Sequence, residues 1–216
     1  GQTDMMTMKQ FITMLVYSSC MVLGPQLAKA QFLSVPLYFG TTNSVKNETG
    51  IILNGTALQP GDLVQLLRAD DGIYPPTTNG APHIFNPVLG ETRIGMGTDP
   101  TAGAIGKFSS SVTINRYQVT PMFVRVFNRH TKEDSSFYCD SQIDSNSVST
   151  YGVFIANVDK TCIELDPGDD DNDDLSNSWE KALGTDRANP DSDGDGFTDG
   201  SENLAGTGAL DENDFL

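Results

Sequence analysis

A twelve-residue acidic phrase occurs twice near the end of this chain, and it leaves little freedom in what that end can become. The first copy runs Asp169-Asp170-Asp171-Asn172-Asp173-Asp174-Leu175-Ser176-Asn177-Ser178-Trp179-Glu180. The second, 22 residues later, runs Asp191-Ser192-Asp193-Gly194-Asp195-Gly196-Phe197-Thr198-Asp199-Gly200-Ser201-Glu202. Each continues into a matching tail, Ala182-Leu183-Gly184-Thr185 and Leu204-Ala205-Gly206-Thr207. Self-similarity at a fixed offset marks a structural unit. The plain alternative is an acidic, solvated tail, which has no reason to keep the same register twice.

The register carries chemistry. Oxygen-bearing side chains stand at positions 1, 3, 5, 9 and 12 of each copy. A hard cation such as Ca²⁺ takes about 6–8 oxygens at roughly 2.3–2.6 Å, and a loop that wraps back on itself supplies them. The first copy offers Asp169, Asp171, Asp173, Asn177 and Glu180, and the second offers Asp191, Asp193, Asp195, Asp199 and Glu202. The backbone carbonyls of Leu175 and Phe197, at position 7, complete each set. Position 6 must turn with positive φ. Glycine does this freely, as at Gly196, and Asp174 is of a type that tolerates it. Position 12 belongs in the first turn of a short helix, where a glutamate can bind through both oxygens. The spacing predicts helices over 176–183 and 198–205, stopped by Gly184 and Gly206. About two Ca²⁺ ions are expected.

The phrase DSDGDGFTDGSENLAGTG, with NPD before it, resembles the calcium repeat of bacterial thrombospondin type 3-like proteins. That repeat has the D-x-D-x-D-G pattern, an apolar residue directly after the glycine, and a later D-x-x-E. An ordinary EF-hand carries its apolar residue at position 8, whereas both copies here carry it at position 7. The resemblance spans about residues 166–216 and implies extracellular Ca²⁺ binding by a rigid spacer or assembly module. Asp174 departs from the pattern's glycine. Gly208 stands where an aspartate is usual, as Asp186 does after copy one.

Charge separates the chain into parts. From residue 166 onward there are 16 acidic and 2 basic side chains, so nearly all of the net charge of −16 lies there. Residues 1–165 are close to neutral, which leaves no basic surface for nucleic acid. The beginning reads as a secretion signal over residues 1–30, with 1–7 as upstream sequence or an alternative start. Lys9 precedes a mostly apolar run from Phe11 to Leu23, too short to span a bilayer comfortably. Gly24-Pro25 breaks that run, and Ala28-Lys29-Ala30 fits a cleavage site. A lipoprotein at Cys20 is the weaker alternative, because Tyr17 stands where a leucine-like residue is wanted. Two cysteines then remain, Cys139 and Cys162, and an even count in a secreted protein suggests one disulfide. Two separate buried thiols are the alternative.

Residues 31–165 read as an antiparallel β-sandwich. Short segments rich in Val, Ile, Phe and Tyr lie between Gly, Pro, Asn and Asp, at 31–39, 50–58, 62–68, 92–96, 107–116, 122–127, 136–141, 150–158 and 161–165. The segment 31–39 is apolar, with a proline suited to an edge. It is either the first strand of its own sandwich or a strand added to a neighbouring subunit. The longest irregular stretch, 69–90, holds Asp70, Asp71, Tyr74, His83 and Phe85, which form either a ligand-binding rim or a cover over one end of the sandwich. Asn47-Glu48-Thr49 and Asn54-Gly55-Thr56 fit the N-glycosylation pattern of a glycoprotein.

No catalytic set is visible. His83 and His130 occur in unrelated contexts, and the clustered carboxylates are accounted for as metal ligands. The expectation is a secreted, non-enzymatic calcium-binding structural protein. In its leading version it is a filament subunit whose partner is itself. The alternative is a carbohydrate- or ligand-binding adhesive module using the 69–90 stretch, with a surface glycan or protein as partner.

Overall fold

A computed structural model describes residues 34–55, 60–97, 105–115, 121–144, 152–158 and 162–214. The secretion-signal reading of residues 1–30 lies outside them. The protein is mainly β, with two short helices at its C-terminal end.

Eight strands form two sheets: β1 Ser34–Gly40, β2 Leu63–Arg68, β3 Val88–Arg93, β4 Ser109–Asn115, β5 Met122–Phe127, β6 Phe137–Asp140, β7 Gly152–Ile155 and β8 Ile163–Glu164. One sheet has the order β4-β1-β7 and the other β3-β2-β5-β6-β8. Both contribute to one apolar cluster. Leu37, Phe39 and Phe154 of the smaller sheet meet Val64, Leu66, Val124, Val126 and Cys139 of the larger, all buried.

The sheets are not wholly antiparallel, as the sequence had suggested. β1 runs antiparallel to β4 but parallel to β7, pairing Leu37 with Gly152 and Gly40 with Ile155. Alternation along a strand fixes its inward face but carries no information about its neighbour's direction. β1 is also the middle strand of its sheet, so from Ser34 onward it belongs to its own fold and is not a free edge. Pro36 precedes the first β7 partner and so stands outside the parallel ladder.

Two other expected strands differ. Over 50–58 the described residues make only an isolated bridge between Lys46 and Ile52. The segment expected at 92–96 is β3, shifted to Val88–Arg93. Gly95 and Gly97, at φ 86° and 66°, turn the chain away beyond it.

β2 and β5 are buried along nearly their whole length, which explains their unbroken apolar spelling, LVQLLR and MFVRVF. One face packs on the smaller sheet. The opposite face carries a row of polar groups in register, Glu91, Gln65, Arg125 and Asp140, across four strands. Arg125 is fully buried and bonds Asp140 through Nε and Nη2, each at 2.7 Å. Its guanidinium lies 4.5 Å from the Tyr138 ring centroid.

The connection between β2 and β3 covers this face. Ile73 packs on Leu67 and Phe123, and the Tyr74 carbonyl accepts a bond from Arg125 Nη2. Asn86, with no exposed surface, holds the loop's shape. Its Nδ2 donates to the Arg68 and Gly72 carbonyls, and its Oδ1 accepts from the Tyr74 N–H. The loop therefore covers a sheet face and not a sandwich end. Tyr74, His83 and Phe85 stack on one another instead of plugging the core, with ring centroids 4.7–5.6 Å apart.

A disulfide joins Cys139 of β6 to Cys162, beside β8. It ties the last, two-residue strand to the sheet. Helices α1 Asn177–Leu183 and α2 Asp199–Ala205 follow, one in each acidic copy.

Candidate metal centre

Each acidic copy folds into a loop that ends in a short helix. Ser176 caps α1 by accepting from the Trp179 N–H, and Thr198 caps α2 by accepting from the Ser201 N–H. Gly184 and Gly206 stop the helices in the left-handed conformation, at φ 92° and 81°.

The loops are wound by their own aspartates, in the same register. At position 1, Asp169 accepts from the N–H groups of Asn172 and Asp174, and Asp191 accepts from those of Gly194 and Gly196. At position 5, Asp173 and Asp195 accept from the N–H of Leu175 and Phe197. The expected positive φ at position 6 is present, 72° at Asp174 and 99° at Gly196. A second left-handed residue, at position 4, was not foreseen: Asn172 at 62° and Gly194 at 81°. Its signal lay in the residue types, since Asn and Gly are those that adopt this conformation most readily.

This winding draws carboxylates together. One oxygen each of Asp169, Asp171 and Asp173 lie within 4.8 Å of one another, and so do those of Asp191, Asp193 and Asp195. Glu180 and Glu202, at position 12, are wholly buried beside them. Their negative surroundings raise their pKa values. Burial first, then the charges of Asp171 and Asp173, push Glu180 up to about 7. Burial and the charges of Asp195 and Asp193 raise Glu202. Asp171 and Asp193 are raised as well, chiefly by burial.

Both oxygens of Asp171 and of Glu180 are buried with no hydrogen-bond partner, as are single oxygens of Asp193, Asp195 and Glu202. Buried polar atoms are normally satisfied, and buried charges are paired or bind metal. Four such oxygens in the first copy and three in the second form the start of a donor set for a hard cation in each. The residues present therefore fit Ca²⁺. Asp169, Asp171, Asp173 and Glu180 would hold one ion, and Asp191, Asp193, Asp195 and Glu202 another. The position-7 carbonyls belong to Leu175, which is buried, and Phe197, which is exposed.

Position 9 is used differently. Asn177 accepts from the Asp170 N–H, and Asp199 accepts from both the N–H and the hydroxyl of Ser192. These side chains fasten the second residue of their own loops. Asp199 also raises the pKa of both Glu180 and Glu202, which puts it within electrostatic reach of the two clusters.

The copies also touch. The Gly200 N–H in α2 donates to Asp173 Oδ2 at 2.8 Å. A Cβ at Gly200 would fall 2.2 Å from the Asp173 carbonyl oxygen. Only glycine allows that approach. Arg187, between the copies, pairs with Asp170 and Asp166.

With this geometry in hand the comparisons are decisive for the module. Residues 169–186 and 191–207 match the family described as the bacterial TSP3 repeat. The two copies are TSP3-like repeats. No curated protein and no solved structure matches the chain significantly. The TSP3 match falls on the residues whose carboxylates converge, and the gap between the matched segments holds Arg187 and Pro190.

The first TSP3 repeat is also docked on the β-domain. Trp179 meets the Phe137 ring edge-on at 5.1 Å. Lys181 Nζ donates to the carbonyls of Glu133 and Ser135 in the β5–β6 turn. Ser178 Oγ accepts from the Asp166 N–H at 2.7 Å. Among the described residues, no helix is long and apolar enough to cross a membrane.

Proposed function

We propose that this protein is a secreted calcium-binding structural component of an extracellular filament or surface assembly, in which a β-sandwich carries a C-terminal module stiffened by Ca²⁺. The observation that carries the reading is the set of buried carboxylate oxygens converging without partners in both repeats. Bound Ca²⁺ supplies the positive charge that those oxygens lack. It turns two mutually repelling loops into rigid ones, so folding of the module is metal-linked. The disulfide agrees with an oxidising, extracellular setting.

The reading is non-enzymatic. His83 lies in a ring stack, and His130 faces the Gly61 carbonyl. Calorimetry tests the calcium assignment. The expected result is uptake of two ions per chain with Kd of about 0.1–1 mM, as in other extracellular modules. Absence of uptake at millimolar Ca²⁺ would refute it.

One observation favours a second reading, an adhesive ligand-binding module. Tyr74, His83 and Phe85 form a stacked patch on a loop made rigid by Asn86 and Arg125, and Phe85 is half exposed. A rigid aromatic face suits the apolar face of a sugar ring. Retention on a glycan affinity gel, lost in Tyr74→Ala, would support it.

A further inference from the structure

We propose that cation binding in the first repeat clamps the module onto the β-domain through one turn of α1, and that Trp179, Glu180 and Lys181 are the three contacts of that clamp. The proposal rests on the calcium reading above and adds a consequence for the β-domain that the repeats alone do not imply.

The three residues are consecutive. On an α-helix successive side chains project roughly 100° apart, so one turn aims them in three directions. Trp179 lies against Phe137, which is buried at the start of β6. Lys181 reaches the β5–β6 turn and holds the Glu133 and Ser135 carbonyls. Glu180, between them, points into the acidic loop, where both its oxygens are buried and unpartnered. A rigid shift of α1 along the direction of Glu180 therefore moves Trp179 and Lys181 with it.

Without a cation, Glu180 faces Asp171 and Asp173 directly. The repulsion acts on the same backbone that carries Trp179 and Lys181. A cation reverses the sign of that force and draws the helix into the loop. The helix start is meanwhile tied to the chain leaving β8, since Ser178 exchanges bonds with both the N–H and the carbonyl of Asp166. Leu165, the preceding residue, is buried with Leu63, Phe127 and Tyr138. The helix is thus held at its start by the β-domain, in its middle by the cation site, and further on by Lys181. Metal occupancy and docking favour the same helix position, so each strengthens the other.

Hydrogen exchange on the full-length protein, read by mass spectrometry over residues 128–137 with and without saturating Ca²⁺, tests this. Calorimetry on the same samples measures the ions bound. Typical coupling between sites corresponds to a roughly 5–150-fold effect, so Ca²⁺ should slow exchange in the β5–β6 turn by at least about fivefold. Lys181→Met, at an exposed position, and Trp179→Ala should each leave the number of bound ions unchanged. Both should reduce that slowing, and the double variant should abolish it. Two bound ions with unchanged exchange at 128–137 in the unaltered protein would overturn the clamp while leaving the calcium reading intact. Equal slowing in the double variant would likewise overturn it. No ion uptake at all would overturn both.

Discussion

Glu180 is the residue on which the first repeat turns. In the metal-free protein, burial and the neighbouring aspartates hold its carboxyl at about 7 instead of 4.5. Between those values the folded module keeps a proton that the unfolded chain gives up. Glu180's contribution to the stability of the metal-free module is therefore full below about pH 4.5 and is lost as pH rises through about 7. Ca²⁺ must displace the proton, so binding near neutrality releases protons. Calorimetry in two buffers of different ionisation enthalpy should show more release at about pH 6.5 than at about pH 8, and no difference would contradict the raised value. Asp195 and Asp170 offer a second contrast. Asp195 is in the converging cluster, whereas Asp170, at position 2, pairs with Arg187. Asp195→Ala should reduce the bound ions from two to one. Asp170→Ala should keep two, weakening the first only slightly, because an exposed ion pair contributes little. Equal effects of the two substitutions would contradict this assignment of the loop positions.

At the scale of elements, the two repeats are joined by the packing of α2 under the first loop. A methyl at Gly200 would collide with the Asp173 backbone and displace the N–H that Asp173 accepts. Gly200→Ala should cost about 1–3 kcal/mol, the usual cost of forcing a group into a packed site. It should also weaken Ca²⁺ in the first repeat although it lies in the second, which calorimetry would reveal as a selective loss of one binding event. Sequence alone hinted at none of this, because a contact between copies leaves no mark on the spacing within a copy. What spacing could carry, it carried: the helices, their glycine stops, the turn at position 6 and the converging aspartates. At position 9 the register shows an oxygen but not its hydrogen bond: Asn177 and Asp199 accept from the second residue of their loops. In the β-domain, alternation found most strands. It did not show that β2 and β5, both found at their expected places, are buried on both faces, and it was silent on the parallel pairing of β1 with β7. The loop over the larger sheet was equally hidden, since nothing in the residues from Ala69 onward announces that Arg125 waits beneath Tyr74.

For the whole molecule, the question is what a β-domain gains from a rigid acidic end. The Cys139–Cys162 bridge ties the edge strand that leads into the module, β8, to its neighbour β6, so a pull on the repeats cannot peel β8 away without β6. Closing a loop of 23 residues stabilises by about 3 kcal/mol in the chain-entropy picture. Cys139→Ser with Cys162→Ser should lower stability by about that amount in denaturant, with Ca²⁺ uptake retained. Assembly into a filament must use surfaces other than β1, which is enclosed between β4 and β7. Among the described strands, β4 and β7 end the smaller sheet and β3 and β8 the larger, and these, with the acidic module, are candidates for contact between copies. Charge governs the module's part. Before metal binds, the acidic ends of two copies repel. Two bound Ca²⁺ ions would offset much of that charge, and rigid loops would no longer have to be ordered on contact. A head-to-tail contact of this kind propagates unless its rotation closes a ring. Light scattering of the purified protein should therefore show particles that grow with concentration in millimolar Ca²⁺ and revert on chelation. Electron microscopy should show them as filaments. A protein that stays monomeric at high concentration with both sites filled would rule out self-assembly and leave the aromatic patch at Tyr74, His83 and Phe85 as the better guide to what it binds.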